Sequence, residues 1–325
     1  MPGSGTRTFP DSDLYEAGLR QAGIESVIIS QADFKARVTW AELHHLQLLR
    51  CEESLPRVGY LTMSPRLASI SFPENSGPLP KWRGTELRAG DVMFHSLGER
   101  LHQATQGPSI WSLITIDPVQ LDDYSRALFE KPLAPPADGL VLRPSARDAA
   151  RLRRLHMRAC RLAETKPKIL AHPEVAREIE QELMYALVTC LTGAKVDTEG
   201  AVERHHALAL IRFEGVLAEH LSRPLHMAEL GELTGVSART LRSCCAEFLG
   251  ISATRYVLLR RLKQARTALR EADPATVSVA EIARACGFTQ LGRFAGLYQT
   301  AFGETPSATL RRLPSRPRLG GPIFR

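Results

Sequence analysis

The sequence predicts an α+β protein: an N-terminal antiparallel β sandwich or barrel, then an all-α region ending in two helix-turn-helix units. Three observations carry this. Short runs with partial apolar alternation crowd residues 26–116. From Asp148 onward, apolar residues recur at three and four spacing. Near the C-terminus one small pattern occurs twice.

Taken in order, Met1 to Asp13 is rich in Gly, Pro and Ser and is expected to be mobile, and Leu14 to Gly23 reads as a short helix. Strands are expected at Val27-Ile28-Ile29, Phe34 to Val38, Leu46 to Leu49, Val58 to Leu61, Ala68 to Phe72, Asp91 to Phe94 and Ile110 to Ile116. Gly, Pro, Asn and Ser separate several of them. Pro132, Pro135 and Pro136 break the pattern, so Leu133 to Pro144 reads as a linker. Helices are expected over Asp148 to Glu164, Pro173 to Leu191 and Val202 to Leu221. Val175, Ile179, Leu183 and Leu187 form a stripe that suits either self-association or packing on the sandwich. Arg151, Arg153, Arg154, Arg158 and Arg161 read as a solvated helix face. The tail from Pro314 to Arg325 is expected to be disordered. The domains expected are therefore 1–132, a β-rich unit; 133–222, linker and helices; 223–313, the repeated units; and the tail 314–325.

The repeat spans Leu225 to Arg312. Its first copy runs Leu230-Gly231-Glu232-Leu233-Thr234-Gly235-Val236-Ser237, then Gly250-Ile251-Ser252-Ala253. Its second runs Ile282-Ala283-Arg284-Ala285-Cys286-Gly287-Phe288-Thr289, then Gly303-Glu304-Thr305-Pro306. The offset is 52 residues at the front and 53 at the back. Ser278 and Glu281 have capping-box spacing, and Gly287 can end a helix in the left-handed conformation. Gly231 and Ala283 occupy equivalent positions, where a short side chain lets a second helix cross closely. That is helix-turn-helix geometry, whose second helix enters the major groove. The exposed faces of the second helices supply the candidate DNA contacts. These are Ser237, Arg239, Thr240, Arg242 and Ser243 in the first, and Thr289, Gln290, Gly292, Arg293, Gly296 and Thr300 in the second. Arginine pairs bidentately with guanine, and hydroxyls serve phosphates or bases.

Charge and composition agree. Residues 200–325 carry 18 basic and 10 acidic residues, whereas the other 199 carry 24 and 25. The basic excess thus sits with the repeat, as a phosphate polyanion requires. No apolar run reaches the ~18 residues of a membrane span, and Met1 to Pro10 has no signal-peptide apolar core. Cys51, Cys160, Cys190, Cys244, Cys245 and Cys286 lack disulfide or metal spacing, which suits a reduced, cytoplasmic setting.

With Ile282-Ala283, Gly287-Phe288, Phe294, Tyr298 and Gly303-Glu304-Thr305-Pro306 in place, the repeat resembles the DNA-binding domain of the AraC/XylS family of transcription regulators. The resemblance implies a long helix joining the units, here Ala253 to Glu271. It also implies an N-terminal sensor domain, control by a small-molecule effector or partner, homodimerisation, double-stranded DNA as ligand and RNA polymerase as a candidate partner. Gly292, Gly296 and Cys245 depart from the family's usual serine, arginine and aromatic.

The stretch Leu87 to His95, with Gly98 and His102, looks like half of a cupin motif, in keeping with a cupin-like sensor. His44, His45, His95, Glu99 and His102 are the candidate metal ligands, but the His-x-His spacing is missing, so no metal and no cofactor are expected. Trp40, Trp82, Trp111 and Phe94 suit either a ligand pocket or ordinary core. No nucleotide loop, hydrolase elbow or acid/base pair is present, so no catalysis is expected. The alternatives are a metal-dependent cupin enzyme fused to a DNA-binding domain, and an effector-independent regulator whose N-terminal half binds a protein. Effector, operator and the sign of regulation stay open.

Overall fold

A computed structural model describes residues 3–19, 23–28, 34–74, 78–197, 201–220, 223 and 225–312. Two antiparallel sheets make up its N-terminal part among the described residues. One has eight strands in the order Gly5–Phe9, Ala36–Glu42, Gln47–Glu53, Ser109–Ile116, Ala68–Pro73, Val92–Phe94, Leu140–Arg143 and Lys195–Asp197. The other has five, in the order Ile24–Ile28, Arg57–Thr62, Arg100–Ala104, Lys81–Trp82 and Thr85–Glu86. Helix α1 (Ser12–Leu19) closes one end, placing Tyr15 and Leu19 in the core between the sheets.

Alternation along the strands sorts side chains into layers. In Ser109–Ile116, Trp111 and Leu113 enter the core between the sheets, whereas Ile114 and Ile116 face the other way. That outer face is covered by α2 (Pro118–Phe129), α3 (Ala146–Thr165), α4 (Pro167–Leu170) and α5 (Pro173–Gly193). The five-stranded sheet repeats the logic. Ile24, Leu61 and Leu101 point into the core, and Val27, Val58 and Ala104 point outward. This second outer face lies against α6 (Ala201–Glu219) and the first repeat unit. All expected strands are present within the described residues, and Ile29 and residues 314–325 lie outside them.

Two expectations are corrected. The segment Met1 to Asp13, expected to be mobile, contributes the edge strand Gly5–Phe9, paired with Ala36–Trp40. A Cβ on Gly5 would stand 2.9 Å from the Trp40 ring, so a side chain there would have to displace the indole. The linker Leu133 to Pro144 contains Leu140–Arg143, which pairs with Val92–Phe94 and buries Val141 and Leu142 on opposite faces. Both faces of a central strand are covered, so it shows no alternation to read. The sheet therefore runs past residue 132, and Lys195–Asp197 completes it.

The helical stripe also resolves. Leu183 and Leu187 are fully buried against the eight-stranded sheet, with Ile179 packed beside them, so the stripe is intramolecular core. Across this layer, Glu74 Oε1 lies 3.5 Å from His156 Nδ1, and Arg50 Nε donates to Oε2 at 2.7 Å. Burial raises the Glu74 carboxyl, but bonds from His156, Ser112 and Arg50 outweigh it and hold it at about 2. Burial likewise opposes the His156 charge; the Cys160 sulfur at 3.8 Å and the Glu74 carboxylate raise it to about 9. The depressed carboxyl stabilises the fold above its ordinary pKa of 4.5, a contribution lost as pH falls towards 2. The raised imidazole contributes fully below 6.5, and this is lost as pH rises through 9. Glu74→Gln should therefore lower the melting temperature most between pH 4.5 and 6.5, with the gap narrowing above 9. A pH-independent gap would contradict the pairing.

Candidate nucleic-acid interface

Each repeat unit folds as the sequence dictates. In the first, α7 (Met227–Thr234) ends at Gly235, whose φ of 72° is left-handed. The Val236 N–H returns to the Gly231 carbonyl at 3.0 Å. A Cβ on Gly231 would stand 2.8 Å from Val236 O and 2.9 Å from Ala238 N, so glycine permits the crossing. Ser237 then caps α8 (Ala238–Cys244), accepting from the Thr240 N–H at 3.0 Å. A π-helical turn, Cys245–Leu249, extends α8 and ends at Gly250.

Helix α9 (Ala253–Glu271) follows, capped by Ser252, with the bounds read from the sequence. In the second unit, α10 (Val279–Ala285) carries the expected capping box between Ser278 and Glu281. Gly287 has φ 78°, and the Phe288 N–H bonds the Ala283 carbonyl at 2.9 Å, the counterpart of the Val236–Gly231 bond. Helix α11 (Leu291–Phe302) buries Phe294 and Tyr298, and the Tyr298 hydroxyl reaches Thr309 in α12 (Pro306–Arg311).

The cores of the units are separate. The first half of α9 gives Tyr256 and Val257 to one, and the second half gives Leu262, Ala265 and Leu269 to the other. One continuous helix thus fixes the two second helices, α8 and α11, relative to each other. Arg239, Arg242 and Ser243 are exposed on α8. Arg293, Gly292, Gly296 and Thr300 are exposed on α11, with Thr289 and Gln290 exposed just before it. Ser237 and Thr240 are brought to the same helix start but bond each other, Oγ to Oγ1 at 2.8 Å, so capping occupies them. Nothing lies within 4 Å of a Cβ built on Gly292 or Gly296, so nothing in the described fold requires glycine there. Cys244 and Cys245 are both buried and free, filling the first core.

The opposite side of α9 is a surface that sequence reasoning missed. Arg260 pairs with Glu25 at 2.7 Å, Lys263 with Glu16 at 2.6 Å and Arg266 with Asp13 at 2.7 Å; Arg270 pairs with Asp13 and Asp11. Beside them Glu214 of α6 accepts from Tyr256 and meets His102 of the five-stranded sheet at 2.9 Å and Arg260 at 3.1 Å. Bonds from His102, Arg260 and Tyr256 overcome burial and hold the Glu214 carboxyl below its usual value. The spacing of the four α9 cations, one per turn, was the available signal, but their acids lie more than 230 residues away.

The metal candidates do not converge. His95 Nδ1 meets Glu99 at 3.0 Å, but His102 faces α6, and His44 and His45 lie exposed in a loop. Trp82, Trp111 and His95 line a cavity of about 20 Å³, room for about one water. Phe94 packs instead in the helix-covered core, and Trp40 is half-buried against the core between the sheets. No described helix is long and apolar enough to cross a membrane.

The geometry of residues 227–311 defines a helix-turn-helix DNA-binding domain. A family model described as a helix-turn-helix domain matches residues 230–312. The probable thc operon regulatory protein of Rhodococcus erythropolis is 37% identical over 154 residues, 46% of this chain and 46% of its own length. The XylDLEGF operon transcriptional activator of Pseudomonas putida is 38% identical over 96 residues, 30% of each chain. The chain thus spans less than half the length of these curated relatives. A crystal structure of a probable AraC family transcriptional regulator from Rhodopseudomonas palustris is 34% identical. That match covers 32% of this chain and 95% of the other, with a TM-score of 0.30. In this double helix-turn-helix region the chain is of the AraC/XylS type.

Proposed function

We propose that the chain is a DNA-binding transcription regulator that reads successive major-groove segments with α8 and α11. The N-terminal β domain acts as its sensor for a small effector or a partner. The observation that carries this reading is the pair of arginine-bearing second helices held on one continuous helix, α9. Against the other side of α9 lies the sensor, so any change in the sheet at His102 or in the acids at 11–25 reaches the helix that sets the spacing of the units. RNA polymerase is the partner such an output requires at a promoter.

The units are expected to contribute unequally. Arg242→Ala or Arg239→Ala should relax sequence preference at one or two base pairs, with discrimination falling by ~1–3 kcal/mol. Arg293→Ala should weaken binding with a smaller loss of preference, because Gly292 and Gly296 on its face offer no side-chain donor. Affinity measured against salt is the check. Each lost phosphate contact flattens the log–log slope by about 0.9, whereas a lost base contact leaves it alone. Equal preference in wild type and both α8 variants would overturn the ranking.

A second expectation concerns the glycines. A mid-helix glycine is less stable than alanine by ~0.5–1 kcal/mol, and Gly292 and Gly296 have open space around them. Gly296→Ala should raise the melting temperature while lowering DNA affinity, if close backbone approach to the groove is why glycine stands there. Higher stability with unchanged affinity would remove that reason.

A further inference from the structure

Two irregular pieces of backbone meet where the five-stranded sheet touches the first repeat unit. One is the tip of the hairpin formed by Lys81–Trp82 and Thr85–Glu86, where Arg83 and Gly84 make the turn with φ of 48° and 88°. A two-residue hairpin turn of this kind asks for positive φ at both places, which suits glycine and asparagine and is uncommon for arginine. Arg83 is buried and tied down. Its Nη1 lies 3.3 Å from Glu99 Oε1, the other Glu99 oxygen meets His95 Nδ1, and the guanidinium stands over the Trp82 ring. The second piece is the π-helical turn Cys245–Leu249 that extends α8. Such turns are rare and recur at functional sites. The corresponding helix of the second unit, α11, is α-helical from Leu291 to Phe302.

The two pieces are in direct contact. Lys81 Nζ donates to the Glu247 carbonyl at 2.8 Å, and a Cβ built on Gly84 would stand 2.7 Å from the Phe248 ring. Phe248 is buried in the core that Val58 and Ala104 of the sheet share with α6 and α9. Arg239, Arg242 and Ser243 stay exposed, so the hairpin braces the end of α8 without covering its candidate reading residues. The end of α11 stands differently: Ala301, Phe302 and Gly303 line a cavity of about 140 Å³ together with Asp11 and Asp13.

We propose that this hairpin positions α8 for reading DNA, with Lys81 and the Arg83–Gly84 turn as positioning residues that fix the tilt of the helix. The β domain thereby acts on α8 directly, apart from the ion pairs along α9. A helix end free to tilt would carry Arg239 and Arg242 away from the base edges, and bidentate pairing tolerates little displacement. The inference rests on the regulator reading and adds a route from the β domain to one unit separately from the other.

The test is selection of bound sequences from a random duplex pool at fixed salt, with melting curves beside it, for the full chain and for Lys81→Met, Lys81→Arg and Arg83→Asn. Asparagine suits the backbone of the turn and removes the tie to Glu99. Lys81→Met and Arg83→Asn should each lose about fivefold or more of the base discrimination at the element that Arg239→Ala also degrades, the order of one base contact. The element read by α11 should keep its preference. Lys81→Arg keeps a donor and should match wild type. A change that only weakened the fold would lower both elements together, and the melting temperature with them. If Arg83→Asn fails to fold, Lys81→Met decides, because Lys81 bonds at the surface. Unchanged discrimination in Lys81→Met, or equal loss at both elements, would overturn the proposal and leave the DNA-reading assignment standing. A wild-type chain that selects no site would overturn both.

Discussion

Glu53→Ala is expected to destabilise the chain by about 3–5 kcal/mol, the cost of leaving a buried charge without its partner. Glu53 and Arg57 are fully buried between the two sheets, with Arg57 Nε donating to Glu53 at 2.6 Å. The same carboxylate accepts from the Tyr15 hydroxyl at 2.6 Å, Ser109 at 2.9 Å and Trp111 Nε1 at 3.1 Å. One truncation therefore orphans three donors and leaves the Arg57 guanidinium without its counter-charge. Burial acts to raise the Glu53 carboxyl, but Arg57 and these donors hold it below its usual range. Its stabilisation is accordingly present above the unfolded carboxyl's pKa and lost as pH falls through the folded value. Urea midpoints at neutral pH should show the full deficit, and the variant should have a flatter acid limb than wild type. A deficit below ~1 kcal/mol would mean that the network relaxes around the gap. Because Val27, Val58 and Ala104 of the sheet share a core with α6, α8 and α9, the deficit should appear in the helical signal as well.

Gly231→Val is expected to abolish DNA binding. The new side chain meets backbone, Val236 O and Ala238 N, at under 3 Å, and backbone at a tight turn yields poorly. Overpacking of this kind costs ~1–3 kcal/mol, and here it falls at the crossing of α7 and α8. Gly231→Ala should be milder, because Ala283 occupies the equivalent place in the second unit. Affinity for DNA, read beside the melting curve of the full chain, separates loss of the reading geometry from global unfolding. A valine variant that binds like wild type would show that the crossing does not position α8.

The double unit was legible because its constraints are local. Gly231, Gly235 and Gly287 stand where a turn or a crossing excludes side chains, and Ser278 with Glu281 closes a capping box within one turn. The buried strand Ala68–Pro73 was legible because apolar and small polar residues alternate along Ala68-Ser69-Ile70-Ser71-Phe72. The strand Leu140–Arg143 was not, since a prolyl run precedes it and both its faces are buried. The charge split pointed to the right region but overstated its free charge. Arg260, Lys263, Arg266 and Arg270 count towards the basic excess, yet acids from residues 11–25 neutralise them. Of the candidate DNA contacts, Arg239, Arg242 and Arg293 stand exposed as expected, whereas Ser237 and Thr240 are engaged in capping. That engagement was readable from the N-cap spacing.

The central claim is that α8 and α11 read DNA together from one rigid helix. Selection of bound sequences from a random duplex pool by the full chain, at fixed salt, tests it most directly. The account predicts an enriched site with two conserved elements about one turn of 10–10.5 base pairs apart, the sharper of which degrades in Arg239→Ala and Arg242→Ala. A pool that shows no enrichment, or a single element untouched by either substitution, would contradict it.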